Sequence, residues 1–341
     1  MKQFVPAKGL ANTHLQSILS STGPRKFLEI RRSAKLLKSA QSEIIRTPQG
    51  VKLRGSLSKT PVFCKGLAII LHGWEGCSES LYMLSSGQKL LDDGFDVFRL
   101  NFRDHGGTQG LNKELFNSMR LEEVLETVKY LCKKYGGQHN LLCGYSLGGN
   151  FCLRIANLAK AQHVGIDQAI AICPLLHPPI TMIALNNGLS IYEKYFVKRW
   201  KQSLFKKLKH HSHFTYGEQL KKLKTLDQMN EFFVNQHTDF ANTKEYFEGY
   251  SILGNGLSKL ALPTTIVSSS DDPMIPAKQL NDLFASEWLT IDLQQYGGHC
   301  AFIKNWKLES WISEHIVHLV NQQYSHYHSG GKNQQGVTVR P

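Results

Sequence analysis

From residue 66 onward the chain alternates two kinds of segment. Six short apolar or β-branched runs (GLAIILHGW, FDVFRLNFRDHGG, HNLLCGYSLGG, DQAIAICPLL, PTTIVSSSDDP and LTIDLQQYGGHC) mostly end in glycines, polar groups or acids. Such runs read as strands buried on both faces, as in a parallel sheet. Between them, helical spacing is predicted over 80–93, 118–136, 146–161 and 277–287. In the second stretch Leu121, Val124, Leu125, Val128, Leu131 and Cys132 recur at intervals of one helical face, and Gly136 and Gly137 stop it. The expected fold class is therefore α/β, a mostly parallel central sheet with helices on both faces. Upstream, 43–58 reads as two strands around a Pro-Gln-Gly turn, a hairpin at one sheet edge.

One interval breaks the alternation. After ICPLLHPP roughly ninety residues rich in aromatics, Lys and His pass before LPTTIVSSSDD, too many for a plain connection. They are expected to form a helical cap over the carboxyl ends of the strands, inserted before the penultimate strand. The predicted organisation is a core with an N-terminal extension over 1–176, the cap over 177–260, the continued core over 261–325 and a polar tail over 326–341.

In LLCGYSLGGNFC, Ser146 stands between Gly144 and Gly148. Glycines there remove β-carbons that would collide where a strand reverses into a helix, the turn that exposes a nucleophilic serine. The helix then begins at the serine, its dipole favours negative charge, and the Leu147 N–H is placed to bind an oxyanion. A neutral serine needs a base, and the base needs an orienting group. SSSDDPMIP follows the penultimate strand and YGGHCAF the last, so an acid and His299 come to the same sheet edge as Ser146. Of the adjacent Asp271 and Asp272, Asp272 is preferred, because its position before Pro276 lets the turn aim its carboxylate back to the site; Asp271 is the alternative. The acid left over is a candidate cap for PAKQLNDLF. In LHGWEGCSES the Trp74 N–H is the candidate second oxyanion donor, and His72 reads as a loop-stabilising residue.

With these elements in order, the chain resembles the α/β-hydrolase superfamily. More narrowly it resembles the YheT-type hydrolases, bacterial relatives of the eukaryotic α/β-hydrolase domain proteins 1, 2 and 3. The narrower resemblance rests on FVPAKGLANTHLQSIL, LHGWEGCSES, NFRDHGGTQGLNKELFNS, GYSLGGN, DDPMIP and GGHCAF, which run over nearly the whole chain. It implies an α/β-hydrolase fold and a serine hydrolase acting on small-molecule or lipid-like carboxylic esters, with the charge relay on Ser146, Asp272 and His299. Unlike the eukaryotic relatives, this chain shows no amino-terminal membrane anchor, which argues against permanent membrane attachment. Trp74, bulkier than the residue often found there, is expected to narrow the acyl pocket. Arg103, Asp104 and His105 are characteristic of the family. Arg103 and Asp104 are expected to brace the loop beside the serine turn, a direct substrate contact being the alternative.

Composition sets the remaining limits. With 41% hydrophobic and 20% charged residues the chain can bury a sizeable core. The net charge of +13 is partly clustered at 24–38 and 198–213, in segments with no zinc-finger, RNA-recognition or helix-turn-helix pattern. No nucleic-acid partner is expected; the basic stretches read as a solvated face or a contact with anionic lipid. Seven scattered cysteines without C-x-x-C spacing suit a reducing compartment. No window approaches the ~20 apolar residues of a spanning helix, so a cytoplasmic location is expected, with at most peripheral contact with the inner membrane face. No cofactor or metal is called for, and the histidines of KHHSHF read as cap surface. Two further readings stay open: an acyltransferase using the same triad, and a non-catalytic lipid- or partner-binding protein.

Overall fold

The strands are β1 (Gln41–Arg46), β2 (Lys52–Ser58), β3 (Gly66–Leu71), β4 (Phe95–Asn101), β5 (Leu141–Tyr145), β6 (Gln168–Ile172), β7 (Thr264–Ser269) and β8 (Leu289–Gln294). In the computed structural model, which describes residues 3–20 and 22–330, they form one sheet in the order β1-β2-β4-β3-β5-β6-β7-β8. The β1–β2 hairpin and the β2–β4 pair are antiparallel, and every pair from β4 to β8 is parallel. The sequence accounts for this division. β3, β5, β6 and β7 are buried along their whole length, whereas β1 at the edge is largely exposed.

Alternation along each strand feeds two cores. Leu67, Ile69 and Leu71 of β3 face α5 (Leu121–Tyr135) and α6 (Leu147–Leu158). Ala68 and Ile70 face α4 (Leu81–Asp92) and α12 (Trp311–Gly330). In α5, Val124, Leu125, Val128 and Leu131 are buried while Leu121 and Cys132 pack at the margin, the face read from the sequence. Before the sheet lie α1 (Thr13–Leu19), α2 (Arg25–Arg32) and α3 (Ala34–Lys38).

Between β6 and β7 a helical cap is inserted: α7 (Pro178–Asn187), α8 (Ser190–His210), α9 (Gly217–Lys222), α10 (Leu226–His237) and α11 (Thr243–Glu248). Tyr192, Leu204, Leu220, Met229 and Phe233 form its own core, which also takes in Met274 and Ile275 from the loop after β7. The cap is thus seated on the carboxyl end of the sheet by apolar contacts. Among the described residues no helix is long and apolar enough to cross a membrane.

Two expectations are corrected. The helix expected over 277–287 is only a 3-10 turn, Ala277–Asp282, because Leu283 is drawn into a bridge with Gly254. With no helix over that face, β8 is not buried on both sides, and Ile291 and Leu293 are exposed. α12 continues to Gly330, into the stretch expected as a polar tail over 326–341, of which residues 331–341 lie outside those described.

Candidate active site

Ser146 occupies the turn between β5 and α6, at the centre of the sheet. Its φ of 54° and ψ of −117° are a strained combination for a residue with a β-carbon. Neighbouring backbone holds it there: the Ser146 N–H donates to Ile172 O at 2.9 Å, and its carbonyl accepts from Leu175 N–H at 3.1 Å. The flanking glycines are demanded by contact. A β-carbon at position 144 would lie 2.1 Å from the Gly148 carbonyl oxygen, and one at 148 would lie 2.5 Å from those of Leu71 and His72.

The loops after β7 and β8 bring the other two residues to this turn. The Ser146 hydroxyl donates to His299 Nε2 at 2.9 Å, and His299 Nδ1–H donates to Asp272 Oδ2 at 2.8 Å. Asp272 has a 2% exposed side chain, and its other oxygen accepts from the N–H groups of Met274 and Ile275 at 2.8 and 3.0 Å. Asp271 points elsewhere, accepting from the Gly298 N–H at 2.9 Å. It therefore braces the histidine loop instead of capping the segment after Pro276. Burial disfavours the His299 imidazolium, but the Asp272 carboxylate outweighs it and holds the pKa well above the usual histidine value. Cys300 Sγ lies 3.8 Å from His299 Nε2 and packs beside Cys173.

Trp74 lies in the loop after β3, next to Gly73, where a β-carbon would stand 3.2 Å from that of Ser146. The loop is pinned on both sides: the Gly73 N–H donates to the Tyr82 hydroxyl at 3.0 Å and the Glu75 N–H to His105 Nε2 at 3.2 Å. Leu147 opens α6, whose first N–H groups have no acceptor within the helix. His72 is fully buried, donating through Nδ1 to Gly73 O at 2.7 Å and accepting at Nε2 from the Phe102 N–H at 3.2 Å. Burial holds His72 well below the usual histidine pKa and His105 at about 4, so both are neutral supports.

Behind this loop, Arg103 is paired with Glu123 at 2.6 Å and Glu114 at 2.8 Å. Asp104 pairs with Lys207 of α8 at 2.8 Å, and Lys207 also donates to the carbonyls of Asn112 and Glu114. Lys207 belongs to the basic stretch 198–213, which is therefore not a uniformly solvated or lipid-facing surface.

Sequence reasoning gave no role to the amino-terminal helix. Asn12 caps α1, and the helix lies against the acid and histidine loops. The Ser17 hydroxyl accepts from the His299 N–H at 2.9 Å and donates to Thr13 O at 2.8 Å, and the Thr13 hydroxyl donates to Asp271 O. His14 Nδ1 meets the Tyr192 hydroxyl of the cap at 2.9 Å. The signal was present in ANTHLQSIL, whose Thr13 and Ser17 stand one helical turn apart.

Ser146 and His299 line a cavity of about 110 Å³ whose walls include Trp74, Met182, Leu185 and Phe196. Trp74 stacks on Phe196 with ring centroids 5.1 Å apart.

Residues 69–305 match the family described as alpha/beta hydrolase fold. The chain is 25% identical over 326 residues to "Putative esterase YheT" of Escherichia coli, with 92% of each chain covered. It is 27% identical over 290 residues to "Putative esterase slr0264" of Synechocystis, covering 77% of this chain and 78% of that one. Among solved structures, the esterase Pf2001 of Pyrococcus furiosus superposes with a TM-score of 0.56 at 15% identity, over 83% of this chain and 92% of that one, a likeness of fold. With the family match spanning most of its length and the YheT similarity running nearly end to end, the chain belongs to the α/β-hydrolase fold family, as a YheT-type member.

Proposed function

We propose that the protein is a serine hydrolase that cleaves carboxylic esters through an acyl-serine intermediate. The observation that carries this reading is the hydrogen-bonded chain Ser146–His299–Asp272 facing an apolar cavity.

His299 Nε2 takes the Ser146 proton as Oγ attacks the acyl carbonyl, and Asp272 stabilises the imidazolium that forms. The negative charge developing on the carbonyl oxygen is held by the N–H groups of Trp74 and Leu147. When the tetrahedral adduct collapses, His299 gives its proton to the departing alcohol. A water molecule, deprotonated by the same nitrogen, then releases the acid and restores Ser146. The cavity suits an apolar acyl chain, because aromatic and aliphatic side chains line most of it.

The test is covalent labelling with a fluorophosphonate, mapped to the modified peptide. Labelling confined to the peptide holding Ser146, and lost in Ser146→Ala, is expected. A folded wild-type protein that neither reacts nor hydrolyses small aryl esters would overturn the reading.

A further inference from the structure

Residues 178–192, PPITMIALNNGLSIY, include no charged side chain, and they build the corner where α7 turns into α8. This corner projects apolar groups into solvent. Ile183 is 59% and Ile191 52% exposed, and Leu189 and Tyr195 are exposed beside them. On α8, Ile191, Lys194, Tyr195 and Lys198 fall at helical spacing on one face. Lys194 and Lys198 are exposed, so the apolar row runs directly into positive charge.

More cations lie alongside. Lys201 donates to the Lys221 carbonyl at 3.3 Å, which sets α8 next to α9 and the exposed Lys221, Lys222 and Lys224. The nearby acids are engaged. Glu193 accepts from the Leu226 N–H at 3.0 Å, Asp227 from Asn186 at 2.7 Å, and Glu218 pairs with Lys221 at 2.6 Å.

The same two helices look inward as well. Met182 and Leu185 of α7 and Phe196 and Trp200 of α8 line the cavity that holds Ser146 and His299. One side of the corner is therefore cavity wall, and the other is an apolar ridge with a basic flank.

We infer that this corner docks the protein on an anionic lipid surface. Ile183, Leu189, Ile191 and Tyr195 enter the boundary between headgroups and acyl chains, and Lys194 and Lys198 lie over the lipid phosphates. An ester lipid then reaches Ser146 past the inner faces of α7 and α8; that last step rests on the ester-hydrolase reading, whereas docking does not. A few apolar side chains bind a bilayer weakly and the lysines add an electrostatic share, so binding requires anionic lipid and weakens with salt.

The experiment is co-sedimentation of the full chain with vesicles of phosphatidylcholine alone and of equal parts phosphatidylcholine and phosphatidylglycerol, at low and high salt. Wild type pellets with the anionic vesicles at low salt and stays in solution with phosphatidylcholine. Leu189→Asp/Ile191→Asp and Lys194→Glu/Lys198→Glu each lower the bound fraction at least about tenfold, while hydrolysis of a water-soluble aryl ester is unchanged. Absence of wild-type binding to anionic vesicles overturns the inference, as does unchanged binding by both variants. A dimer on gel filtration that Leu189→Asp/Ile191→Asp dissociates, without vesicle binding, assigns the corner to a second copy and also overturns it. Vesicle binding by a protein inactive on every ester leaves docking standing and removes the hydrolase reading alone.

Discussion

Lys207 Nζ sits 2.8 Å from Asp104 Oδ1 across 103 residues of sequence, joining the longest cap helix to the loop behind the Ser146 turn. Both side chains are nearly inaccessible, and burial alone pushes Asp104 up and Lys207 down in pKa, against the pairing. Removing one partner strands the other. Lys207→Met is expected to cost about 3–5 kcal/mol, and adding Asp104→Asn to recover much of that loss. Urea unfolding of the two single variants and the double variant checks it through a double-mutant cycle.

Ser17 holds the backbone of His299 and is not among the residues lining the cavity. Ser17→Ala should lower kcat roughly tenfold with KM little changed, because the imidazole loses the contact that fixes its backbone. Ser17→Thr, which keeps the hydroxyl, should restore most of the rate. Steady-state kinetics on a soluble aryl ester distinguishes this from general destabilisation, which would lower the active fraction and respond to temperature.

The Asp272 charge fixes the pH dependence. A general base works in its neutral form, and His299 is held above the ordinary histidine pKa, so kcat/KM should rise with pH through an apparent pKa above 6.5. Asp272→Asn removes the largest of the causes that raise it, leaving the smaller share from Cys300. The limb then moves to lower pH while kcat falls by about 10⁴. A rate profile that is flat from pH 6 to pH 9 would contradict the assignment of His299 as base.

Gly144→Ala is expected to destabilise by roughly 3 kcal/mol or more, since its new β-carbon would fall 2.1 Å from the Gly148 carbonyl oxygen. Gly217→Ala is a control, because a β-carbon there meets only the Leu208 side chain, at 3.4 Å. The difference between the two midpoints in thermal unfolding isolates the steric part.

Trp74 is the expected gauge of acyl length. Trp74→Ala keeps the backbone N–H but removes a ring that lines the cavity and stacks on Phe196. The preferred acyl chain in a series of p-nitrophenyl esters should become longer, with the shortest esters losing rate.

What was legible in the sequence follows the range of the forces involved. The core strands as segments, α5 and the serine turn were readable because apolar spacing and glycine placement act over a few residues. The choice of Asp272 over Asp271 also came from local turn geometry, and in the structure it is Asp272 that meets His299. The 277–287 helix failed because a long-range bridge from Leu283 to Gly254 overrides local propensity. Lys207 could not be told from its neighbours, since its partner lies far upstream. The contribution of Ser17 was hidden for the same reason.

The Ser17–His299 contact joins positions 282 residues apart. In chain order the helix that steadies the proposed base precedes the whole sheet, whereas that base follows the last strand, β8. The proposed nucleophile lies between them in sequence, on the turn after β5. A nascent chain that stops short of β8 carries the Ser146 turn but lacks the proposed proton acceptor, so the chemistry proposed for this site requires α1 and the loop after β8 to be brought together.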